Sequence, residues 1–93
     1  MVIIKFEAPQ VEEYCDLRVS AGMSPKSIEA ARKGLPHACF NITIYDNESL
    51  IAMGRVIGDG GTVFQIVDIA VDKGYQGRGY GRIIMEEIMT YIE

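Results

Sequence analysis

Between Val71 and Gly81 an apolar run gives way to a helical pattern across four glycines, Gly74, Gly77, Gly79 and Gly81. No other stretch constrains the chain so tightly. Upstream, Thr62 to Asp72 is apolar on both sides, with Val63, Val67, Ile69 and Val71 alternating against Phe64, Ile66 and Ala70. That composition predicts a central strand buried on both faces. Downstream, Tyr80, Ile84, Ile88 and Tyr91, joined by Ile83 and Ile92, recur at helical spacing and predict an amphipathic helix whose stripe packs in the core. A glycine inside a helix forfeits roughly 0.5–1 kcal/mol relative to alanine. Gly79 and Gly81 therefore require a compensating reason, and close approach of an anion to backbone N–H groups at the positive end of a helix dipole supplies one.

The remainder reads as scaffold for this junction. Val2 to Phe6 is a short β-branched run that ends at Glu7-Ala8-Pro9, a first strand. Val11, Tyr14, Cys15 and Val19 fall at spacings of three and four and predict a helix over Val11 to Val19, broken at Gly22. Ser24 as N-cap and Pro25 at the first helical position predict a second helix carrying Ile28, Ala31 and Leu35. His37 to Tyr45 and Leu50 to Ile57 predict a hairpin about the turn residues Asp46 to Ser49. The order is strand, helix, helix, three strands, helix: an α+β (α/β) chain forming one domain over residues 1–93.

Composition narrows the function classes. A net charge of −4 argues against nucleic acid, whose phosphates select a basic surface. No run of about 18 apolar residues is present to cross a membrane, and the N-terminal apolar run is too short for a secretory signal, which leaves a cytoplasmic location as the default. Cys15 and Cys39 lack metal-ligand spacing and read as free buried thiols, so no metal is expected.

Spacing separates three glycine motifs. Gly74 and Gly79 have the Walker A interval, but Tyr80 and Gly81 replace the lysine and hydroxyl residue that would touch phosphate and Mg²⁺. A dinucleotide-binding fingerprint begun at Gly77 and Gly79 would need a glycine where Arg82 stands, and an acid about 20 residues farther on, past Glu93. Gln76-Gly77-Arg78-Gly79-Tyr80-Gly81 instead fits Gln/Arg-x-x-Gly-x-Gly/Ala. With the preceding strand Val67 to Val71, the following helix and the element order upstream, the chain resembles the GNAT superfamily of acyl-CoA-dependent N-acyltransferases along its whole length.

The resemblance implies a mostly antiparallel GNAT-like sheet and acetyl transfer from acetyl-CoA to a small-molecule or peptide primary amine. It implies that N–H groups from Gln76, Gly77, Arg78, Gly79, Tyr80 and Gly81 bind the CoA pyrophosphate. It also implies that the backbone of Ile69, Ala70 and Val71 pairs with pantetheine and polarises the thioester carbonyl. Lys73, Arg78 and Arg82 stand near enough in sequence to add positive charge. Asp68 is the candidate base: it lies on the same strand among apolar neighbours, whose desolvation would make it a stronger proton acceptor, and the rival reading is an Asp that binds the substrate ammonium or a neighbouring backbone N–H. His37 opens a strand far along the chain from the loop and is read as structural. In many members of the superfamily a tyrosine on a later helix serves as general acid, and none of the five tyrosines here matches that position.

The resemblance further implies a closing strand, helix and one or two more strands after the last helix, about a third of the usual domain. Without them the strand at 62–72 becomes an edge, a template for pairing, and a second copy of the chain is expected to cover it as a homodimer, with the chain either a truncated piece or a naturally short member. The alternative function is a CoA-binding or interaction module without turnover.

Overall fold

The computed structural model describes all 93 residues, Met1–Glu93. The elements are β1 (Val2–Lys5), α1 (Val11–Ser20), α2 (Ile28–Gly34), β2 (Phe40–Asp46), β3 (Ser49–Gly58), β4 (Phe64–Val71) and α3 (Tyr80–Ile92), with short 3-10 turns at Leu35–His37 and Lys73–Tyr75. The four strands form one antiparallel sheet in the order β1-β2-β3-β4. This is the α+β architecture and element order expected from the sequence.

The sheet is the middle layer of three. On one face α3 drives Ile84 and Ile88 into a core with Ile42, Ile44 and Val56, and all five side chains are fully buried. On the other face α1 and α2 bring Tyr14, Leu17, Ala31 and Leu35 onto Met53 and Ala70. Contact between α3 and the sheet is close because β3 carries Gly54 beneath it: a Cβ there would lie 2.6 Å from Ile84 Cγ2 and 2.8 Å from Ile69 Cδ1. Tyr91 extends the α3 stripe toward the surface, stacking on Phe40 with centroids 4.6 Å apart and meeting the Phe64 ring edge-on.

Four features depart from expectation, each for an identifiable reason. Helix α2 begins at Ile28, not after Ser24-Pro25, because Ser27 is the cap: its hydroxyl accepts from the Ala30 N–H at 3.1 Å. The Ser24 carbonyl and hydroxyl instead both accept from the Arg18 guanidinium. His37 lies in the 3-10 turn that Pro36 initiates, so β2 starts at Phe40. Strand β4 starts at Phe64 because Thr62 belongs to the preceding turn, where the Asp59 carboxylate accepts from the N–H groups of Gly61, Thr62 and Val63 and from the Thr62 hydroxyl. Those bonds hold the Asp59 carboxyl far below the usual carboxylate range.

The fourth departure shapes the site. Strict alternation along β4 would put Val67, Ile69 and Val71 on one face. The β3–β4 register instead jumps from Arg55↔Val67 to Met53↔Ala70, so β4 carries one extra residue, and Asp68 takes a positive φ of 57°. This β-bulge inverts the pattern. Ile66 and Ile69 now both face α3, together with Phe64 and Val71, while Ala70 joins the α1/α2 core.

Candidate active site

Two structures meet at β4, a glycine loop beyond its C-terminal end and a buried charge cluster at its bulge. The loop is tied down on both flanks. Asp72 closes the 3-10 turn by accepting from the Gly74 N–H at 2.9 Å, and it accepts from the Ser20 hydroxyl at the end of α1. The Tyr75 hydroxyl donates to Asp46 at 2.8 Å, and Asp46 also meets the N-terminal amine of Met1 at 3.3 Å. These two partners hold the Asp46 carboxyl below its usual range, and the same bond raises the Tyr75 phenol above its own.

Between those anchors the backbone turns through two left-handed residues, Gly77 at φ 80° and Gly79 at φ 91°, and Gly79 is the N-cap of α3. L-residues pay about 1–2 kcal/mol for this conformation, which is why glycine stands at both positions. Every backbone N–H from Gln76 to Arg82 is without a hydrogen-bond partner inside the chain. Gly81 has an ordinary backbone, and a Cβ there would meet only Val71 Cγ2 at 3.8 Å. Folding therefore does not require glycine at that position. Arg78 lies over the Tyr75 ring, 5.1 Å from its centroid, and Tyr80 meets the same ring at an angle. Lys73, Arg78 and Arg82 have no carboxylate partner.

Strand β4 is an edge of the sheet. The Asp72 N–H donates to the Ile51 carbonyl at 2.7 Å, so by antiparallel alternation Ala70 points its backbone groups at β3, whereas Ile69 and Val71 point theirs outward. The Gln76 side-chain amide already donates to the outward Val71 carbonyl at 3.0 Å. Of the three strand residues considered for pantetheine, two thus present free-edge backbone groups and Ala70 does not.

Asp68 is not surrounded by apolar groups. Its apolar sequence neighbours lie on the strand, but the bulge points the carboxylate at α1 and β3. There Arg18 Nη1 donates to Oδ1 at 2.6 Å, Arg55 Nε donates to Oδ2 at 2.6 Å, and the Tyr14 hydroxyl donates to Oδ2 at 2.9 Å. The Asp68 and Arg18 side chains are 8% and 6% exposed, so these are desolvated ion pairs. Both carboxylate oxygens are thus engaged by donors of this chain, two of them cations. The geometry makes Asp68 a clamp between α1, β3 and β4. Sequence reading missed Tyr14, Arg18 and Arg55; the available hint was that Tyr14 and Arg18 stand one helical turn apart on α1 and so share a face.

Burial, and then donation to Asp68, raises the Tyr14 phenol above its ordinary range; burial and donation to Glu13 at 2.5 Å do the same, more strongly, for Tyr45. Their protonated forms are favoured by folding. The stability this contributes is fully present below the unfolded phenol value near pH ~10 and is lost as pH rises through the folded values. Unfolding free energy from denaturant titrations between about pH 8 and 11 is expected to fall above pH ~10, and Tyr45→Phe is expected to flatten that fall. A profile for the Tyr45→Phe protein as steep as that of the parent would contradict the assignment.

No group of three or more His, Cys, Asp or Glu side chains is placed to hold a metal ion, and no helix is long and apolar enough to cross a membrane. Comparison with known proteins agrees with the geometry of β4, loop and α3. The family model for the GNAT acetyltransferases matches residues 7–93. A Staphylococcus aureus protein of unknown function, described as a probable acetyltransferase, is 65% identical and superposes with a TM-score of 0.96, over 99% of this chain and 69% of that one. A GNAT-family acetyltransferase from Streptococcus pneumoniae is 25% identical, TM-score 0.82, over 98% of this chain and 67% of that one. The Escherichia coli ribosomal-protein-S18-alanine N-acetyltransferase shares the fold, with a TM-score of 0.75 at 20% identity over 97% of this chain and 58% of that one. No match is found among curated proteins. The chain belongs to the GNAT acetyltransferase family.

Proposed function

We propose that this chain binds acetyl-CoA along β4 and the glycine loop and directs acetyl transfer to a primary amine. The observation that carries this reading is the unbroken series of unpaired N–H groups from Gln76 to Arg82, wrapped over two left-handed glycines at the start of a 13-residue helix. Such a series suits a pyrophosphate, which needs several convergent donors and gains from the helix dipole. Gly81 supports it independently, because a helix glycine without a packing reason is accounted for by a ligand lying against its backbone.

Acetyl-CoA, when bound, supplies the activated thioester. The residues of this chain orient it. The outward backbone of Ile69 and Val71 is available to pantetheine, and an outward N–H is a preorganised donor for the thioester carbonyl as charge develops there. The amine nitrogen forms the new C–N bond as the C–S bond breaks, and the proton lost by the amine balances the one gained by the thiol. Asp68 takes no proton in this scheme; it fixes Arg55, Tyr14 and the bulge. Pairing with a second copy would use the Phe64–Val67 half of the β4 edge and leave Ile69 and Val71 to the ligand.

Titration with CoA while following backbone amides tests the reading. Large shifts are expected at Ile69, Val71 and Gln76 to Arg82, with little change on β1. An unmoved loop at saturating CoA would reject the phosphate assignment, and thiol release with a panel of amines then separates turnover from binding alone.

A further inference from the structure

We infer that the amine acceptor carries an anionic group, a carboxylate or a phosphate, and that Arg55 and Lys26 receive it. The acceptor role rests on the acetyl-transfer reading, whereas the anion site rests on charge and geometry alone.

The charge cluster at the bulge does not balance. Two guanidinium groups share one carboxylate, so the largely buried set of Arg18, Arg55 and Asp68 has one positive charge left over. The surplus can be located. Each nitrogen of Arg18 has a partner: Nη1 donates to Asp68, Nε to the Ser24 carbonyl at 2.9 Å and Nη2 to the Ser24 hydroxyl at 3.1 Å. Those of Arg55 do not all have one. Its Nε binds Asp68, its Nη1 has only a long contact of 3.4 Å to the Gly34 carbonyl, and its Nη2 makes no hydrogen bond within the chain.

Arg55 lines a cavity of about 210 Å³ between α2 and β3. Arg55, Lys26 and Tyr14 are its polar walls, Ala31 and Leu35 its apolar ones, and no acidic residue lines it. Lys26 has no carboxylate within ion-pair distance. A space walled by Lys26, which has no carboxylate partner, and by Arg55, which shares its one carboxylate with Arg18 and is held rigid by it, selects an anion. In a net acidic chain this local reversal of sign is the more pointed.

A second observation marks the same place as polar and unfinished. Asn41 lies opposite Arg55 in the β2–β3 register, and its Oδ1 is the one buried side-chain polar atom without a hydrogen-bond partner. It lines the narrow crevice beside the cavity with Arg55 and Asp68. Buried acceptors are rarely left unmet in folded proteins, and a hydroxyl or N–H next to the ligand's anion would satisfy this one.

Position fits the chemistry. Arg55 is one strand in from β4, about 5 Å by sheet spacing, and its Nε shares Asp68 with the bulge that precedes Ile69. An anion held at Arg55 leaves the rest of a short molecule free to extend toward the outer edge of β4, where the thioester is proposed to lie. The cavity's volume admits the anionic end of such a molecule and a few methylenes, but not a folded protein surface.

The test separates anion binding from turnover. Propionate and methyl phosphate, which cannot be acetylated on nitrogen, are titrated at low ionic strength while the amides of Ala30, Ala31 and Gly34 are followed. Saturable shifts are expected with at least one, and the tighter of the two names the anion. Lys26→Glu, an exposed change with no contact to lose, is expected to weaken that binding by about ten-fold, the worth of one charge-assisted hydrogen bond, without lowering the unfolding midpoint. Arg55→Gln is expected to abolish it. Absence of shifts with both anions overturns the proposal whatever the enzyme does with amines. In turnover, 4-aminobutyrate or aminoethyl phosphate is expected to exceed butylamine in kcat/KM by about ten-fold or more, a margin that Lys26→Glu removes. A preference for butylamine would also overturn it. Anion binding with no turnover on any amine would leave this site standing and remove the acetyl-transfer reading instead.

Discussion

Replacing Asp68 by alanine is expected to destabilise the protein by about 3–5 kcal/mol, the cost of stranding buried charges without a partner. The total stability of a domain of this size is about 5–15 kcal/mol, so the variant should be near its unfolding threshold. The reason is the cluster's stoichiometry. Removing the carboxylate leaves Arg18 and Arg55 facing each other, with Arg18 almost wholly out of solvent, and leaves the Tyr14 hydroxyl without its acceptor. Asp68→Asn should cost less, because the amide oxygen still accepts from one guanidinium, but its NH₂ then faces the other. Denaturant titration of both variants distinguishes a clamp from a base. A clamp lowers the midpoint in both. A base would leave the midpoint of Asp68→Asn near that of the parent and abolish turnover, and that outcome would return the carboxylate to the proton-transfer role expected from its place in the sequence.

The Asp68 case shows where local reading stops. Strand, helix and loop at positions 64–92 were legible because each is set by residues close in sequence: a nearly continuous apolar run along β4, period 3.6 along α3, and glycine where the loop needs φ near 80–90°. What surrounds Asp68 was not, because Tyr14, Arg18 and Arg55 lie 54, 50 and 13 residues away, and only the folded chain brings them together. The bulge is equally invisible in a pattern of alternation, since Val67-Asp68-Ile69 reads as continuous strand until one residue takes the left-handed conformation. The competition between Ser24 and Ser27 for the cap of α2 has the same origin. Both are good capping residues, and the outcome was decided by Arg18, which claims Ser24 from another helix.

The bulge also joins the two halves of the site. Because β4 gains a residue at Asp68, Ile69 turns onto the α3 face above Gly54, while the carboxylate turns the opposite way into the arginines. A single backbone irregularity therefore aims the charge cluster at the α1/α2 cavity and sets which backbone groups, those of Ile69 and Val71, emerge at the free edge. Changing Asp68 is thus expected to disturb the free edge of β4 and the cavity beside Arg55 together, so the loop needs a test of its own.

Gly79 and Gly81 provide it, because they are expected to respond with opposite signs in stability and the same sign in ligand binding. At Gly79 the backbone sits at φ 91°, which an alanine adopts at a cost of about 1–2 kcal/mol, although no atom lies within 4 Å of the position its Cβ would take. Gly79→Ala should lower unfolding free energy by about that amount, or relieve it by turning the loop, and in either case weaken CoA binding by about ten-fold or more as the N–H groups lose their convergence. Gly81 has a helical backbone and room for a methyl group. Gly81→Ala should therefore raise stability by roughly 0.5–1 kcal/mol through helix propensity, and yet is expected to weaken CoA binding through loss of the close backbone approach that the proposed pyrophosphate contact uses. Denaturant titration and calorimetric titration with CoA on the same two samples read all four quantities. Two variants that bind CoA as the parent does would show that this loop does not hold the phosphates. A Gly81→Ala protein that is more stable and a poorer binder would identify the residue as one kept for its ligand at the expense of its helix.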